Sequence, residues 1–268
     1  MAITALHSAA SGLSALSTQL DVISNNLANA NNNGFKASRV DFEDLLYQYK
    51  RQPGVTNSEG DMAPTGLAVG LGTRVSGTSV DFTQGSLITT GQQYDVAIEG
   101  DGFFRVKTPN SSGDTLAYTR NGHFFRNSDG EVVLNSGDGY KLDPSVVVPP
   151  NAIGINISSD GRVFAQIAGA TAPTQLASIQ LVRFRNPQGL VQLGGNLYQQ
   201  STASGTPIQG VPGVDGMGTL QQSSLESSNV DPVKELVNLI KTQRTFEMNS
   251  QSIQAADQML QTVGNLRR

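Results

Sequence analysis

The apolar positions of this chain change period twice along its length. Near the start, Leu6, Leu13, Leu20 and Leu27 recur every seven residues, with Ala9, Leu16 and Ile23 in the complementary column. This is the a/d pattern of a heptad helix, and it predicts a helix over 3–31, ~43 Å long at about 1.5 Å per residue. A second heptad run near the other end comprises Leu239, Phe246, Ile253 and Leu260, flanked by Leu236, Ile240, Ala256, Met259, Val263 and Leu266. Thr242 and Asn249 interrupt one side of that seam. The segment "SNVDPVKELVNLI" announces its start: Asp231 can cap the free amides of the first turn, and Pro232 suits the first helical position.

Between the helices the pattern becomes period two. "DVAIEGDGFFRV" reads as strand, Gly-Asp-Gly turn, strand; "HFFRNSDGEVVL" and "IGINISSDGRVFAQI" each set Asp-Gly between apolar alternations, a strong hairpin signal. "LASIQLVRF" and "NLYQQST" add strands. Residues 94–202 are therefore expected to form an antiparallel β domain of hairpins. Segments 36–93 and 203–227, rich in Gly and Pro, read as an extended connector and its return. The predicted class is α+β, with residues 1–35 and 228–268 pairing as a terminal helical coiled coil around this β-rich middle.

The outer faces of the first helix alter the picture. Apart from His7, Asp21 is the only acidic or basic side chain before Lys36. Serines, Thr18, Gln19 and alanines stand where a solvated helix carries Glu and Lys. From pattern alone, the two helices suit either an intramolecular hairpin or packing between subunits, and the neutral faces favour the second. The run "NNLANANNNGFK" extends this reading. Asn25, Asn26 and Asn29 fall off the leucine seam, where neutral amides can bond neighbouring subunits without burying an ion. Asn31 to Asn33 weaken the helix, and Gly34 can accept a left-handed stop before the chain exits at Phe35 and Lys36.

Composition excludes several functions. Only 15% of residues are charged, the formal net charge is −4 and no basic cluster occurs, so nucleic acid and anionic membranes are not expected partners. No cysteine is present, which removes disulfides and thiolate metal sites. "MAITALHSAASGLSAL" lacks the basic start and continuous apolar stretch of a secretory signal, and no run approaches the ~20 apolar residues of a membrane span. No membrane insertion is expected, and export would use a route other than general secretion, without a cleavable signal peptide.

Candidate chemistry is sparse. The two histidines, His7 and His123, lie in the heptad helix and beside a predicted hairpin, without metal-ligand spacing. "GLAVGLG" lacks both the Walker lysine and the dinucleotide-binding glycine pattern. The Asp-Gly turns lack the acidic ladder of a calcium loop, and Asp41, Glu43 and Asp44 show no sign of a raised-pKa acid/base pair. No enzyme, cofactor or metal is expected.

The ends carry a family resemblance. "GLSALSTQLDVISNNLANANNNGFK" resembles the N-terminal motif of the axial proteins of the bacterial flagellum, and "SNVDPVKELVNLIKTQRTFEMNSQSIQAADQML" is similar to their C-terminal motif. In the middle, "DFEDLLYQYKRQPG", "GLAVGLGTRV" and "DVAIEGDGFFRV" resemble the distal-rod branch of this rod and hook family, rather than a hook subunit with its added outer domain or a proximal rod subunit. The resemblance implies a structural subunit of the distal rod, a rigid drive shaft crossing the periplasm and transmitting torque from motor to hook. It implies export by the flagellar type III apparatus and assembly into a helical homopolymer. Implied partners are copies of itself, proximal rod and hook subunits and the surrounding basal-body rings.

In this family the segment matching Tyr47 to Pro64 is associated with a straight, stiff rod, which carries that role onto Tyr47, Arg51, Gln52, Pro53, Gly54 and Pro64. The expected assembly seams are Leu6, Leu13, Leu16, Leu20, Ile23 and Leu27 with Leu236, Leu239, Phe246, Ile253, Leu260 and Val263. A soluble carbohydrate-binding β module with a helical stalk is the competing class.

Overall fold

The computed structural model describes residues 2–54, 64–110, 113–169 and 172–266. The chain divides into two compact units. One comprises residues 1–28, 38–80 and 231–268, the other 29–37 and 81–230. The predicted connector 36–93 is thus divided between them, chiefly after Val80.

In the first unit, helix α1 (Ala2–Ala28) packs on helix α2 (Pro232–Leu266). Helix α1 stops three residues short of the expected boundary, and Asn29 to Asn33 form turns. Asparagine side chains compete for backbone bonds and give up helix readily. The strand Ser38–Asp44 pairs antiparallel with Thr73–Val80, and Tyr47–Arg51 pairs with Leu67–Gly70, so extended chain in this segment forms ribbons. The first ribbon lies close to α1: Ser11 Oγ accepts a bond from Thr73 N at 3.2 Å. A Cβ on Gly72 would lie 2.1 Å from that same oxygen, and Gly72 has φ 119°, so both space and backbone require glycine there.

The start of α2 follows local chemistry. Asp231 Oδ1 accepts from Val233 N at 3.0 Å and Lys234 N at 3.3 Å, and the Asp231 carbonyl accepts from Glu235 N. These amide bonds, that from Lys234 foremost, hold the Asp231 carboxyl below its ordinary range. A depressed carboxyl stabilises the fold above the unfolded value of about 3.9, and that contribution is lost as pH falls through the folded value. Hydrogen exchange across acidic pH is expected to show protection at Val233 and Lys234 falling before that in the middle of α2. Simultaneous loss along the helix would remove this cap as the cause.

The second unit is antiparallel β structure. Its principal sheet runs in the order Val191–Gly194, Leu197–Gln199, Gly113–Thr119, Phe103–Asn110, Lys141–Leu142, Val132–Leu134, Phe124–Arg126. Leu181–Arg183 joins the sheet by pairing with both Phe103–Phe104 and Ile208–Gly210. Successive side chains on a strand point to opposite faces. Accordingly Phe104 enters the larger core with Val106, Phe124, Leu134 and Leu181, whereas Phe103 enters a second, aromatic core with Tyr118, Phe184 and Tyr198.

Both Asp-Gly hairpins form. Phe124–Arg126 pairs with Val132–Leu134, and Ala152–Ile157 pairs with Arg162–Ile167. At these turns Gly130 and Gly161 take φ of 84° and 85°. Val96–Glu99 and Phe103–Asn110 flank the Gly-Asp-Gly segment as expected, and Val96–Glu99 pairs with Thr219–Gln222. One expectation needs correction. "LASIQLVRF" breaks into Thr174–Ser178, in a three-stranded sheet, and Leu181–Arg183, in the principal one.

Candidate functional site

Helix α1 presents Leu6, Leu13, Leu16, Leu20 and Leu27 half-buried and Ile23 buried, with Ala15 buried beside them. On α2, Leu239, Phe246 and Ile253 are half-buried. Thr242 and Ala256 are buried, and Asn249 is half-buried between them in sequence. These three residues, seven apart, lie on the inner side of the helix. The residues that interrupt the leucine pattern therefore form its second column. Their small size admits a close helix: a Cβ on Gly12 of α1 would lie 3.3 Å from Asn249 Nδ2.

The apolar residues left outside form a stripe. Val233 is 70% exposed, and Leu236, Val237 and Ile240 are exposed over the same two turns, followed by Met248 and Met259. Leu236 thus faces outward instead of joining the inner column, and Leu260 is 39% exposed. The Val263 side chain lies outside the described residues.

The asparagines differ in placement. Asn25 is exposed and Asn29 half-buried, with Asn29 Oδ1 accepting from Asn32 Nδ2 at 3.3 Å. Asn26, expected to bond a neighbouring subunit, is 2% exposed and occupied within its own chain. Its Oδ1 accepts from Ser38 N at 2.9 Å and its Nδ2 donates to Ser38 O at 2.8 Å, fastening the end of α1 to the first strand. Its side chain also bonds Glu235 of α2; burial nonetheless pushes the Glu235 carboxyl up.

Tyr47 and Arg51 lie on the ribbon strand Tyr47–Arg51, all of whose residues are exposed, and Arg51 donates to Thr65 O at 3.3 Å. Gln52, Pro53, Gly54 and Pro64 are exposed as well, while 55–63 lie outside the described residues. A hydrogen bond to Asp44 foremost pushes the Tyr47 phenol up. Leu46, Tyr49 and Leu67 are exposed on the same segment, so this ribbon presents apolar and aromatic surface to solvent.

Among the described residues neither histidine stands in a hydrolytic arrangement. His7 Nδ1 lies 3.4 Å from Leu71 O. His123 Nδ1 lies 2.6 Å from Asp95 Oδ1, while Asp95 Oδ2 accepts from Thr90 Oγ1. The carboxylate sits between the other two, leaving the hydroxyl without the imidazole as base. Among the described residues no cluster of His, Cys, Asp or Glu could hold a metal ion.

A buried charge cluster in the second unit was not foreseen. Lys36, read as the exit into the connector, is buried and donates to Glu226 Oε1 at 2.6 Å and Thr83 O at 2.7 Å. Arg120 Nη1 lies 3.6 Å from Glu226 Oε2. Burial is the foremost influence on both cations and lowers the pKa of each, opposed by the Glu226 charge. Glu226 also accepts from Gly85 N through Oε1 and from Gly34 N through its backbone carbonyl. Gly34 takes the left-handed φ of 73°, and a Cβ there would lie 2.7 Å from Asn121 N. Nothing periodic marks these residues; the only local sign is a lysine directly after Gly34-Phe35.

Comparison with known sequences accords with this architecture. Residues 6–36 match the family described as flagella basal body rod protein, 97–165 the flagellar hook protein FlgE/F/G D1 domain, and 221–266 the flagellar basal body rod FlgEFG protein C-terminal region. The flagellar basal-body rod protein FlgG of Buchnera aphidicola from Schizaphis graminum is 46% identical over 264 residues, covering 98% of this chain and all of that protein. FlgG of Borreliella burgdorferi is 42% identical over 98% of both chains. FlgG of Bacillus subtilis is 39% identical over 99% of this chain and all of its own length. With this similarity running through both terminal helices and the β unit, the chain belongs to the flagellar basal-body rod protein FlgG family.

Proposed function

We propose that the chain is a structural subunit of the distal rod, polymerising helically with copies of itself into the stiff shaft that carries torque from motor to hook. The observation that carries this reading is the end-to-end similarity to proteins named as basal-body rod subunits. The surface of the helical unit supports it. The Val233, Leu236, Val237 and Ile240 stripe is costly to leave in water, since burying each such side chain contributes about 1.5–3 kcal/mol. Neighbouring subunits can cover it.

In this reading, heptad columns of α1 and α2 continue as coiled-coil contacts through the rod wall. Asn25 and Asn29 contribute polar contacts between subunits, and the exposed Tyr47–Arg51 ribbon with Gln52, Pro53, Gly54 and Pro64 stiffens the polymer. The partners are proximal rod subunits below, hook-side subunits above and the basal-body rings around. Delivery is through the flagellar type III export apparatus into the periplasm.

Deleting the gene in its own bacterium and imaging basal bodies by electron microscopy tests the assignment. The expected particle has a rod that stops short of the outer membrane and carries no hook, restored by the wild-type chain. A complete rod and hook in the deletion strain would overturn it.

A further inference from the structure

The second unit contains a pocket of about 400 Å³ whose chemistry the rod assignment does not use. Its walls include Phe82, Phe103 and Phe184, and three cations line it, Arg120, Arg183 and Arg185, against one acid, Asp101. The strands place these groups together. Val182 pairs with Phe103, which sets Arg183 and Phe184 beside the Phe103 strand end, and Arg120 directly follows the neighbouring strand Gly113–Thr119. Phe103 stacks edge-to-face with Phe82 at 5.4 Å and Phe184 at 6.0 Å, and the Arg120 guanidinium carbon sits 5.4 Å from the Phe103 ring centre.

The charge around this pocket does not balance. Lys36 and Arg120 share the buried carboxylate of Glu226, with Asp81 also acting on Lys36 and Asp101 on Arg120, so the four cations Lys36, Arg120, Arg183 and Arg185 outnumber these three acids. Arg120 is 3% exposed, and its Nε and Nη1 have no hydrogen-bond partner among the described residues. A buried polar group without a hydrogen-bond partner is expensive, and protein interiors normally satisfy it. Among the described residues, no acidic side chain lies within salt-bridge distance of Arg183 or Arg185. A site of this size, with three phenyl rings, Pro187 and Ile208 in its walls and three cations against one acid, has the features of an anion-binding pocket. Planar guanidinium forks match a carboxylate, and phenyl walls match an apolar stem.

We propose that this pocket binds a carboxylate borne on an apolar stem, with Arg183 and Arg185 taking the carboxylate, Arg120 supplying charge behind it and the three phenyl rings enclosing the stem. That chemistry has two sources: an acidic side chain of an adjacent copy in the polymer, or a free small organic acid. The first rests on the self-assembly proposed above; the pocket itself does not.

The test is titration of the unassembled full-length chain with 3-phenylpropionate by calorimetry, beside 3-phenylpropan-1-ol, which has the same stem and no charge. Saturable binding of the acid is expected, at least tenfold tighter than the alcohol and at least tenfold weakened by Arg183→Gln with Arg185→Gln. Both side chains reach the surface, and a thermal melt checks that the variant folds. Absence of saturable binding, equal affinity for the alcohol, or unchanged affinity in a folded double variant overturns the proposal. Repeating the titration on rods isolated with basal bodies separates the sources: blocked binding assigns the pocket to a neighbouring subunit, and unchanged binding assigns it to a free acid. Failure of the chain to polymerise would refute the rod reading and leave the first titration intact.

Discussion

Glu226→Ala is expected to destabilise the second unit by about 3–5 kcal/mol, the range for removing one partner of a buried ion pair. That is a large share of the roughly 5–15 kcal/mol by which a domain is stable. The substitution strands two buried cations at once, and it leaves Gly85 N without its carboxylate acceptor. Urea unfolding followed through tyrosine near-ultraviolet dichroism reads the loss, because Tyr118 and Tyr198 both lie in the affected aromatic core. The informative comparison is Lys36→Met, which keeps the length of the stem and removes one of the two cations. Glu226 then retains Arg120, so this variant is expected to lose distinctly less stability than Glu226→Ala. Equal or greater loss in Lys36→Met would refute an excess of buried positive charge.

The second large effect concerns the helices. Ile23→Asp puts a carboxylate at a buried position of α1, where no cation stands on the same helix. Burying an unpaired ion costs several kcal/mol, more than the paired helices can recover locally. Expected is a chain that is secreted poorly or not at all into rods and forms no polymer by sedimentation or electron microscopy. Its Tyr118 and Tyr198 dichroism should stay native, because the second unit has its own core. Polymers formed at the wild-type yield by Ile23→Asp would count against α1 as part of the assembly surface.

Heptad spacing located both helices, because burial of one helical face repeats with the helix itself. It did not say which faces would meet. Thr242 and Asn249 looked like defects in a leucine seam, yet they lie with Ala256 on the inner side, while Leu236 faces out. Hydropathy ranks side chains by transfer from water, whereas close helix packing also selects for size, which a pattern of apolar letters does not record. Asn26 illustrates the same limit. An amide off the seam suits a subunit contact equally well as a bond to Ser38, and only the path of the chain after Gly34 brings Ser38 within 2.8 Å of it.

The site residues divide along the same line. Tyr47 to Pro64 attracted notice through resemblance, and the structure adds that their ribbon exposes Leu46, Tyr47, Tyr49 and Leu67. The Arg120 pocket carried no sequence signal. Its three arginines are scattered singly, and their convergence depends on the pairing of Val182 with Phe103.

Several features were determined by the sequence alone: the α2 start at Asp231 and Pro232, the two Asp-Gly hairpins and the helical character of the ends. Each depends on interactions within a few residues, where capping amides, glycine backbone freedom and side-chain period act before any distant contact exists. Tertiary structure decided the rest. It chose Thr219–Gln222 as the partner of Val96–Glu99, and it joined Lys36 to Glu226 across 190 residues. Strand edges and lone charges carry no address in their neighbours; they find partners only when burial makes an unpaired amide or ion too costly to leave.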